Sequence, residues 1–528
     1  MEADHKPPNA ESTNNPQKAE LRKSDARHAA VGAGTNFLTI ISGLSDFAFQ
    51  PIMAHLYGVS TYGQYRFGYG ILEPFLRLGP LGTDKGLLRH IASHRVAAEP
   101  DLERASLRTA CLLSMLGSLG LAVLAFLLAE PLARMQNQPG SELAIRILSL
   151  SIPFVSMVLV LVSATMGAKL MRYNLLVRGV AQPLLLLILA LCAGLVAPQL
   201  VGLCGANVLA AILTASLAVW AARRVFHQVR ISELFFPGSG PGPWLHWDMV
   251  RFSLPMGLAE FSNAILERAD LILLGFYAGP ESVGIYAGLE TISRVVANVR
   301  FAFDPVASPV LSEALRMRDQ ERLGYNLKLA TYWVALLTFP LFGFMLIFRG
   351  DLLRMFPPQF ATGAQLFPLF LARHLINGTL GLSGWVVAMA GRSKLVLLNN
   401  LVAAGCNVAL SLLLLPRYGM LGACLASLAS VTLIQLLILI EVVALHHVQP
   451  FSQAFAKACL AASVTIGLLC LVEPPAGLVL PLRFVLWTLL MLAIYVALLI
   501  AFRLRPEERE LAARIWSVVA RFFGRGQR

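Results

Sequence analysis

The sequence predicts an all-α integral membrane protein of about 14 transmembrane helices. We expect two parallel-repeat six-helix lobes around a central cavity, followed by two extra C-terminal helices. Of the 528 residues, 57% are hydrophobic and 14% are charged, and the mean hydropathy is +0.67. Soluble domains have about 25% charged residues. Apolar runs of about 20 residues, long enough to cross a membrane as helices, recur along the chain. They are continuous, which excludes the alternating pattern of a β-barrel.

The predicted spans follow one another closely and leave little room for a soluble domain. The N-terminal lobe, residues 28–222, holds spans 29–56, 64–88, 109–129, 143–167, 175–197 and 200–221. The C-terminal lobe, residues 252–447, holds spans 252–278, 283–308, 328–348, 363–389, 395–415 and 420–445. Residues 448–503 supply the additional spans 453–472 and 480–502.

Three polar segments flank these lobes. Residues 1–27 form a basic tail that we expect to be disordered, and this tail lacks the apolar segment of a signal peptide. Residues 223–251 form a linker between the lobes. The basic tail 504–528 contains PEERELAARIWSVVARFF, whose apolar residues are spaced as in a helix lying on the membrane surface; a solvated tail is the alternative.

The positive charge is distributed unevenly along the chain. The formal net charge is +13, and most Lys and Arg residues lie in the tails and in alternate loops. The intervening connections LYGVSTYG, LVAPQL and YAGPES contain neither residue. By the positive-inside rule both termini and the linker 223–251 are predicted to be cytoplasmic. This pattern indicates contact with membrane lipids and gives no reason to expect a nucleic-acid partner.

Motifs for metals, cofactors and redox chemistry are missing from the sequence. The seven cysteines fall within predicted spans and form no CxxC pair, so we interpret them as packing residues. Neither the GxxxxGK[ST] nucleotide motif nor the HExxH zinc motif occurs. The loop histidines His446 and His447 are expected to be solvated. We therefore predict no metal, no cofactor and no enzymatic activity.

Weak internal similarity recurs at a nearly constant offset. GVSTYGQY, with Gly63, matches GPESVGIY, with Gly284, at an offset of 221 residues. Gly202 and Gly205 match Gly419 and Gly422, and Lys169 matches Arg392. This agreement indicates duplication. Six spans in each repeat would make the lobes parallel, related by an axis along the membrane normal, with the functional cavity between them.

Charged residues occur inside four predicted spans. Helical periodicity puts Arg66, Glu73, Arg77 and Asp84 on one face of span 64–88, and Glu290, Arg294, Asp304 and Ser308 on one face of span 283–308. Span 252–278 carries Glu260, Asn263, Glu267 and Asp270 in a stripe, and span 29–56 carries Asp46 at the repeat position of Glu267. Because intramembrane charges cost about 2.5–3.5 kcal/mol each on insertion scales, we expect them to line a polar central cavity.

Glu73–Arg77 and Glu290–Arg294 could instead be structural pairs within their own helices. Arg268, Arg300 and Arg373 have no such local partner. Lys85 and Arg89 are expected at the inner rim.

Two segments carry a family resemblance. HLYGVSTYGQYRFGYGILEPFLRLGPLGTDKGLLRHIA and AMAGRSKLVLLNNLVAAGCNVALSLLLLPRYGMLGACLASLAS resemble Wzx-type polysaccharide flippases, such as O-antigen flippases, of the MATE/MOP exporter superfamily. Pro416, Tyr418, Gly419 and Gly422 match that family's IP-x-YG-x-x-G turn, and the resemblance covers about residues 29–445. It implies two six-helix lobes, alternating access, and movement of an isoprenoid-diphosphate-linked oligosaccharide between leaflets. It also implies cavity arginines that contact the diphosphate.

We therefore expect a monomeric flippase in a bacterial inner membrane. The candidate diphosphate-binding residues are Arg77, Arg294, Arg300 and Arg373. The candidate cavity or coupling acids, for a proton or sodium ion, are Asp46, Glu73, Glu267, Asp270 and Glu290. The alternatives are a cation-coupled multidrug exporter, which would favour a cavity dominated by carboxylates and aromatic residues, and a glycan polymerase or ligase, which would need a larger outer loop.

Overall fold

The computed structural model describes residues 47–97, 99–135, 139–168, 170–196, 199–226, 245–390, 392–472 and 480–502, and all regular secondary structure in these ranges is helical. The helices of the first half are α1 (47–57), α2 (Val59–Leu78), α3 (Thr83–Ala97), α4 (Pro100–Met135), α5 (Pro139–Ser149), α6 (Ile152–Gly167), α7 (Arg172–Val196) and α8 (Leu200–Val225). Within α7, Leu175–Ala181 form a π-helical stretch.

The second half begins after the linker. Its helices are α9 (Trp247–Tyr277), α10 (Pro280–Ser293), α11 (Val295–Arg316), α12 (Gln320–Ile347), α13 (Arg349–Leu353), a 3-10 helix (Pro358–Gly363), α14 (Phe367–Leu380), α15 (Ser383–Met389), α16 (Ser393–Tyr418) and α17 (Met420–His446). The C-terminal pair, α18 (Gln453–Leu471) and α19 (Leu480–Ala501), packs outside this half, against α12. Arg483 on α19 forms an ion pair with Asp351 on α13.

The predicted all-α membrane fold is confirmed. Within the described residues, nine helical stretches are long and apolar enough to cross a membrane. Their outer faces expose leucines such as Leu116, Leu127 and Leu195, as expected for surfaces that face lipid. The remaining predicted spans lie partly outside the described residues, carry charges or are interrupted, so the count of fourteen stays a prediction.

The two halves meet mainly through α2. This helix packs against α9 and α10 of the second half, and α3 packs against α9. A Cβ atom on Gly63 of α2 would lie 1.6 Å from the Pro280 carbonyl oxygen, and one on Gly284 of α10 would lie 2.7 Å from the Val59 carbonyl oxygen. Gly63 and Gly284 occupy equivalent repeat positions. Their mutual contact agrees with the predicted twofold relation between the halves.

Four spans predicted as continuous are interrupted, and one of them, 143–167, divides between α5 and α6. Span 64–88 divides into α2 and α3 at the turn 79–82, where Leu81 has φ 53° and Gly82 has φ 72°. The prediction that Asp84 continues the helical face of Glu73 and Arg77 is therefore wrong, because a turn separates them. Span 283–308 divides at Arg294, and span 363–389 divides between α14 and α15.

Several predictions lie outside the described residues. They are the tails 1–27 and 504–528, most of span 29–56 including Asp46, the central part of the linker 223–251, and the repeat position Lys169.

Candidate functional site

Glu73 and Arg77 lie near the C-terminal end of α2, at the contact between the halves. Arg77 Nη2 donates to Glu73 Oε1 at 3.1 Å, which is the i,i+4 pair expected from the spacing. The other oxygen of Glu73 accepts a hydrogen bond from Arg268 Nε on α9. Glu73 is therefore shared by an arginine from each half, and the pair is not confined to its own helix.

Arg268 occupies the centre of the charged network. Besides bonding Glu73, its Nη1 lies 3.6 Å from Glu290 Oε2 on α10. Only 8% of Arg268 is exposed, and Glu73 and Glu290 are buried as well. Two carboxylates at repeat-equivalent places thus share one buried guanidinium. The sequence shows that Arg268 lacks a local partner, but its spacing does not reveal this bridge.

Arg77 extends from this buried centre to a more exposed region. Its Nη2 donates to Glu267 Oε2 at 2.8 Å, and its Nη1 lies 3.7 Å from Glu260 Oε2. The side chain of Arg77 is 35% exposed and that of Glu267 is 55% exposed. Lys85, expected at the inner rim, lies 3.7 Å from Glu260 Oε1. Arg77 therefore holds exposed carboxylates on one side and a buried one on the other.

Glu290 and Arg294 repeat the arrangement on α10. Arg294 Nη2 donates to both Glu290 oxygens, at 2.6 and 2.9 Å. Its side chain is 40% exposed, and within the described residues its other nitrogens have no hydrogen-bond partner. Arg294 therefore has N–H donors that form no hydrogen bond with a carboxylate in the described part of the chain.

Asp270, a predicted coupling acid, is instead held by several neighbours. Its Oδ2 accepts from the Tyr286 hydroxyl at 2.8 Å and lies 3.7 Å from Nη1 of Arg373 on α14. Its Oδ1 accepts from the Leu271 amide at 2.8 Å. Asp270 and Tyr286 are buried, so this cluster ties α9 to α10 and α14 in the second half.

Arg300 lies apart from the ion-pair network. Its guanidinium stacks on the Phe301 ring, 4.7 Å from the centroid. No carboxylate in the described part of the chain lies within ion-pair distance, and its Nε is buried without a hydrogen-bond partner there. The structure therefore leaves Arg300 outside the group formed by the other predicted site residues.

Two further arginines border the network. Arg66 on α2 donates from Nη2 to Thr291 Oγ1 on α10 at 3.2 Å, across the contact between the halves. Arg178 lies in the π-helical stretch of α7 and interacts electrostatically with Asp84 and Arg77. Arg178 is not among the site residues predicted from the sequence. It is a charged residue inside the apolar span 175–197, and π-helical turns are frequent at functional sites.

The network has a buried side and an exposed side. Arg268, Glu73, Glu290, Asp270 and Arg373 form the buried side, where charges neutralise one another. Arg77, Arg294, Glu260 and Glu267 form the exposed side. Charged groups at membrane depth must face protein or water. The exposed side is therefore where an ionic ligand could exchange with a carboxylate.

Comparisons with known proteins agree with this architecture. A sequence model of a family described as polysaccharide biosynthesis protein matches residues 31–315, more than half of the chain. No curated protein matches the sequence. A lipid II flippase, MurJ, in an inward closed conformation is similar with a TM-score of 0.69 at 15% identity, covering 89% of this chain and 97% of the other. A multidrug resistance MATE family transporter of the MOP superfamily, in an inward-facing conformation, is also similar. Its TM-score is 0.62 at 14% identity, and the match covers 82% of this chain and 96% of the other.

Proposed function

The chain belongs to the polysaccharide biosynthesis protein family, and from this premise we propose that it flips an isoprenoid-diphosphate-linked oligosaccharide. Transport would run from the inner to the outer leaflet of a bacterial inner membrane, by alternating access of the two halves. The fold is that of the MOP-superfamily transporters to which it is similar. A hydrophilic path between the halves would carry the sugars while the isoprenoid chain stays in lipid.

One observation carries the substrate assignment. Arg77 and Arg294 lie on α2 and α10 and are partly exposed. Each pairs with the glutamate four positions before it, Glu73 or Glu290, which is buried beside Arg268. A guanidinium can bind phosphate oxygens in bidentate fashion. One arginine from each half would bind the diphosphate where the halves meet.

The pairing of Arg77 explains how an anion could enter a network that is already neutralised. A diphosphate would replace Glu260 and Glu267, which are the more exposed partners of Arg77. Glu73 would remain paired with Arg268 during this exchange. Substrate binding therefore need not leave a buried carboxylate without a partner, which would be costly.

The other two candidate arginines differ in accessibility. Arg300 has an unpartnered Nε among the described residues and could bind a phosphate after a rearrangement of α11. Arg373 is next to Asp270 and would have to leave it to reach a ligand. We therefore assign the first contacts to Arg77 and Arg294, with Arg300 as a secondary contact and Arg373 as a residue that positions α14.

Glu267 is the best placed of the candidate coupling acids. Released from Arg77 by the diphosphate, it could take up a proton or sodium ion, and its change of charge would favour one arrangement of the halves. Asp270 is fully engaged by Tyr286, Leu271 and Arg373. Asp46, at the repeat position of Glu267, remains a candidate by that equivalence alone.

A cellular experiment tests this function. In a strain lacking the gene, Arg77→Ala and Arg294→Ala should each reduce surface glycan sharply at normal protein abundance, because a charged hydrogen bond of about 1.5–3 kcal/mol corresponds to about tenfold or more in affinity. Arg77→Lys should retain part of the function as a point charge. Arg354→Ala removes an exposed arginine that pairs with Asp351, outside the network, and serves as the control.

The same experiment separates the rival interpretations. If the Glu73–Arg77 pair is only structural, Glu73→Gln with Arg77→Gln should be abundant and active, and that result would reject Arg77 as a phosphate ligand. If the protein were a multidrug exporter, the arginine variants would change resistance to cationic drugs and leave surface glycan intact.

A further inference from the structure

Three histidines meet at the end of the molecule that is predicted to face the cytoplasm. His90 and His94 lie on α3, and His246 directly precedes α9. Their rings are 4.9 Å (His90–His246), 5.3 Å (His94–His246) and 5.7 Å (His90–His94) apart between centroids. His246 is 14 positions before Glu260, about 21 Å along a helix. The cluster is therefore separate from the charged network and joins the two halves at a second place.

His90 and His94 are spaced as a metal-binding pair. Residues at i and i+4 lie on the same face of a helix, the arrangement by which helical histidine pairs bind zinc. One nitrogen from each of the three histidines lies within 4.8 Å of the others. In a tetrahedral zinc site with Zn–N distances of about 2.0–2.1 Å, ligand nitrogens are about 3.4 Å apart. The three rings would need to approach by about 1.4 Å at most, which side-chain rotation can provide.

His94 has a second feature of a metal ligand, a carboxylate that orients its imidazole ring. Its Nδ1 lies 2.9 Å from Glu99 Oε2, so the Nδ1–H group donates a hydrogen bond to this carboxylate. This leaves the lone pair on Nε2, and Nε2 is buried with no hydrogen-bond partner in the described part of the chain. Only 8% of His94 is exposed. A carboxylate behind a histidine fixes the tautomer and orients metal-bound imidazoles in the same way.

His246 would supply the third ligand nitrogen, from the second half, and metal binding there would cost little stability. Its Nδ1 accepts from the Met249 amide at 3.2 Å and caps α9, while its own amide donates to Thr109 on α4 at 3.0 Å. Binding a metal through either ring nitrogen would break the hydrogen bond from the Met249 amide that caps α9, and this would cost about 1 kcal/mol of stability. The Thr109 contact would continue to hold the backbone in place.

Acidic side chains lie beside the cluster. Glu99 contacts His94. Asp248, two residues after His246, adds negative charge nearby that favours a cation.

We propose that His90, His94 and His246 form a binding site for a divalent transition-metal ion such as Zn²⁺, which ties α3 of the first half to α9 of the second. The fourth position would be open to water, as in zinc sites with three protein ligands. The turn that precedes α3 also packs closely on α9, since a Cβ on Gly82 would lie 2.5 Å from the Gly257 nitrogen. Bound metal would therefore stabilise the arrangement in which α3 packs on α9. This proposal does not depend on the identity of the transported substrate.

Metal binding can be measured directly on the purified full-length protein, prepared metal-free and without a polyhistidine tag. Titration with Zn²⁺ should show one site per chain, and Co²⁺ should give the visible absorption bands of tetrahedral coordination. Zn²⁺ should also raise the melting temperature, because a ligand that binds only the folded state stabilises it. A wild-type protein with no saturable Zn²⁺ site would overturn the proposal.

Matched variants assign the site to these residues. His246→Phe keeps an aromatic ring in the cluster but removes the nitrogens, and it should abolish the cobalt bands and weaken zinc binding at least tenfold. Glu99→Gln keeps all three ligands and should weaken binding by about 10–100-fold. The double variant His446→Ala/His447→Ala removes an adjacent pair elsewhere and should bind like wild type. Unchanged affinity in both His246→Phe and Glu99→Gln would show that the histidines only pack together.

Discussion

Arg268 is the side chain on which the buried charges of both halves depend. It contacts Glu73 of α2 and Glu290 of α10, and all three residues are buried. Arg268→Ala should lower stability by about 3–5 kcal/mol, because it weakens the compensation of two buried carboxylates. Thermal unfolding in detergent and membrane abundance would measure this loss.

A rescue distinguishes charge from packing at this position. Adding Glu73→Gln and Glu290→Gln to Arg268→Ala removes the unbalanced charges and should recover part of the lost stability. The exposed control Arg354→Ala should stay within about 0.5 kcal/mol of wild type. If Arg268→Ala unfolded at the wild-type temperature, the central role of this arginine would be wrong.

The spacing of charged residues within one helix predicts part of the site. The i,i+4 rule anticipates Glu73–Arg77 and Glu290–Arg294, and the structure contains both pairs. It cannot anticipate that Glu73 also binds Arg268, because that contact joins residues 195 positions apart. The sequence likewise shows the His90–His94 spacing, but it cannot bring His246 to them, since that requires the packing of α3 on α9.

At the scale of helices, the contact between α2 and α10 depends on two glycines. A Cβ on Gly63 would lie 1.6 Å from a backbone oxygen of Pro280, so Gly63→Ala should force the helices apart. We expect a clearly lower melting temperature and reduced surface glycan. Gly205→Ala is the matched control, because a Cβ there meets no atom within 4 Å.

The two alanine variants should behave differently. Gly205→Ala should be neutral or slightly stabilising, since alanine is favoured over glycine within a helix. Equal melting temperatures for Gly63→Ala and Gly205→Ala would contradict the close contact between α2 and α10.

Long apolar runs predict the presence of a helix more reliably than they predict the position at which the helix breaks. The run 64–88 reads as one span, yet Pro80 and the positive φ of Leu81 and Gly82 divide it into α2 and α3. The sequence GPLG contains a turn signal that the hydrophobic length concealed. Span 283–308 breaks at Arg294 without any such signal, so that break depends on tertiary packing.

For the whole molecule, lipid as a solvent makes the fold class predictable. Backbone groups inside a bilayer must bond within their own segment, so long apolar runs become helices whatever their detailed sequence. The duplication predicts a twofold relation of the halves, and the Gly63–Gly284 contact agrees with it. Which charges meet between the halves depends on how the helices pack, and spacing along one helix does not contain that information.

Flipping by the purified protein is the direct test of the proposed transport. Protein reconstituted in liposomes should move a fluorescent isoprenoid-diphosphate-linked oligosaccharide across the bilayer, measured by its accessibility to a membrane-impermeant quencher. The Arg77→Ala/Arg294→Ala protein should lose this activity while keeping its fold, because both exposed guanidinium groups would be missing; Arg354→Ala should flip at the wild-type rate. Undiminished flipping by the double variant, or none by the wild type, would contradict the proposed function.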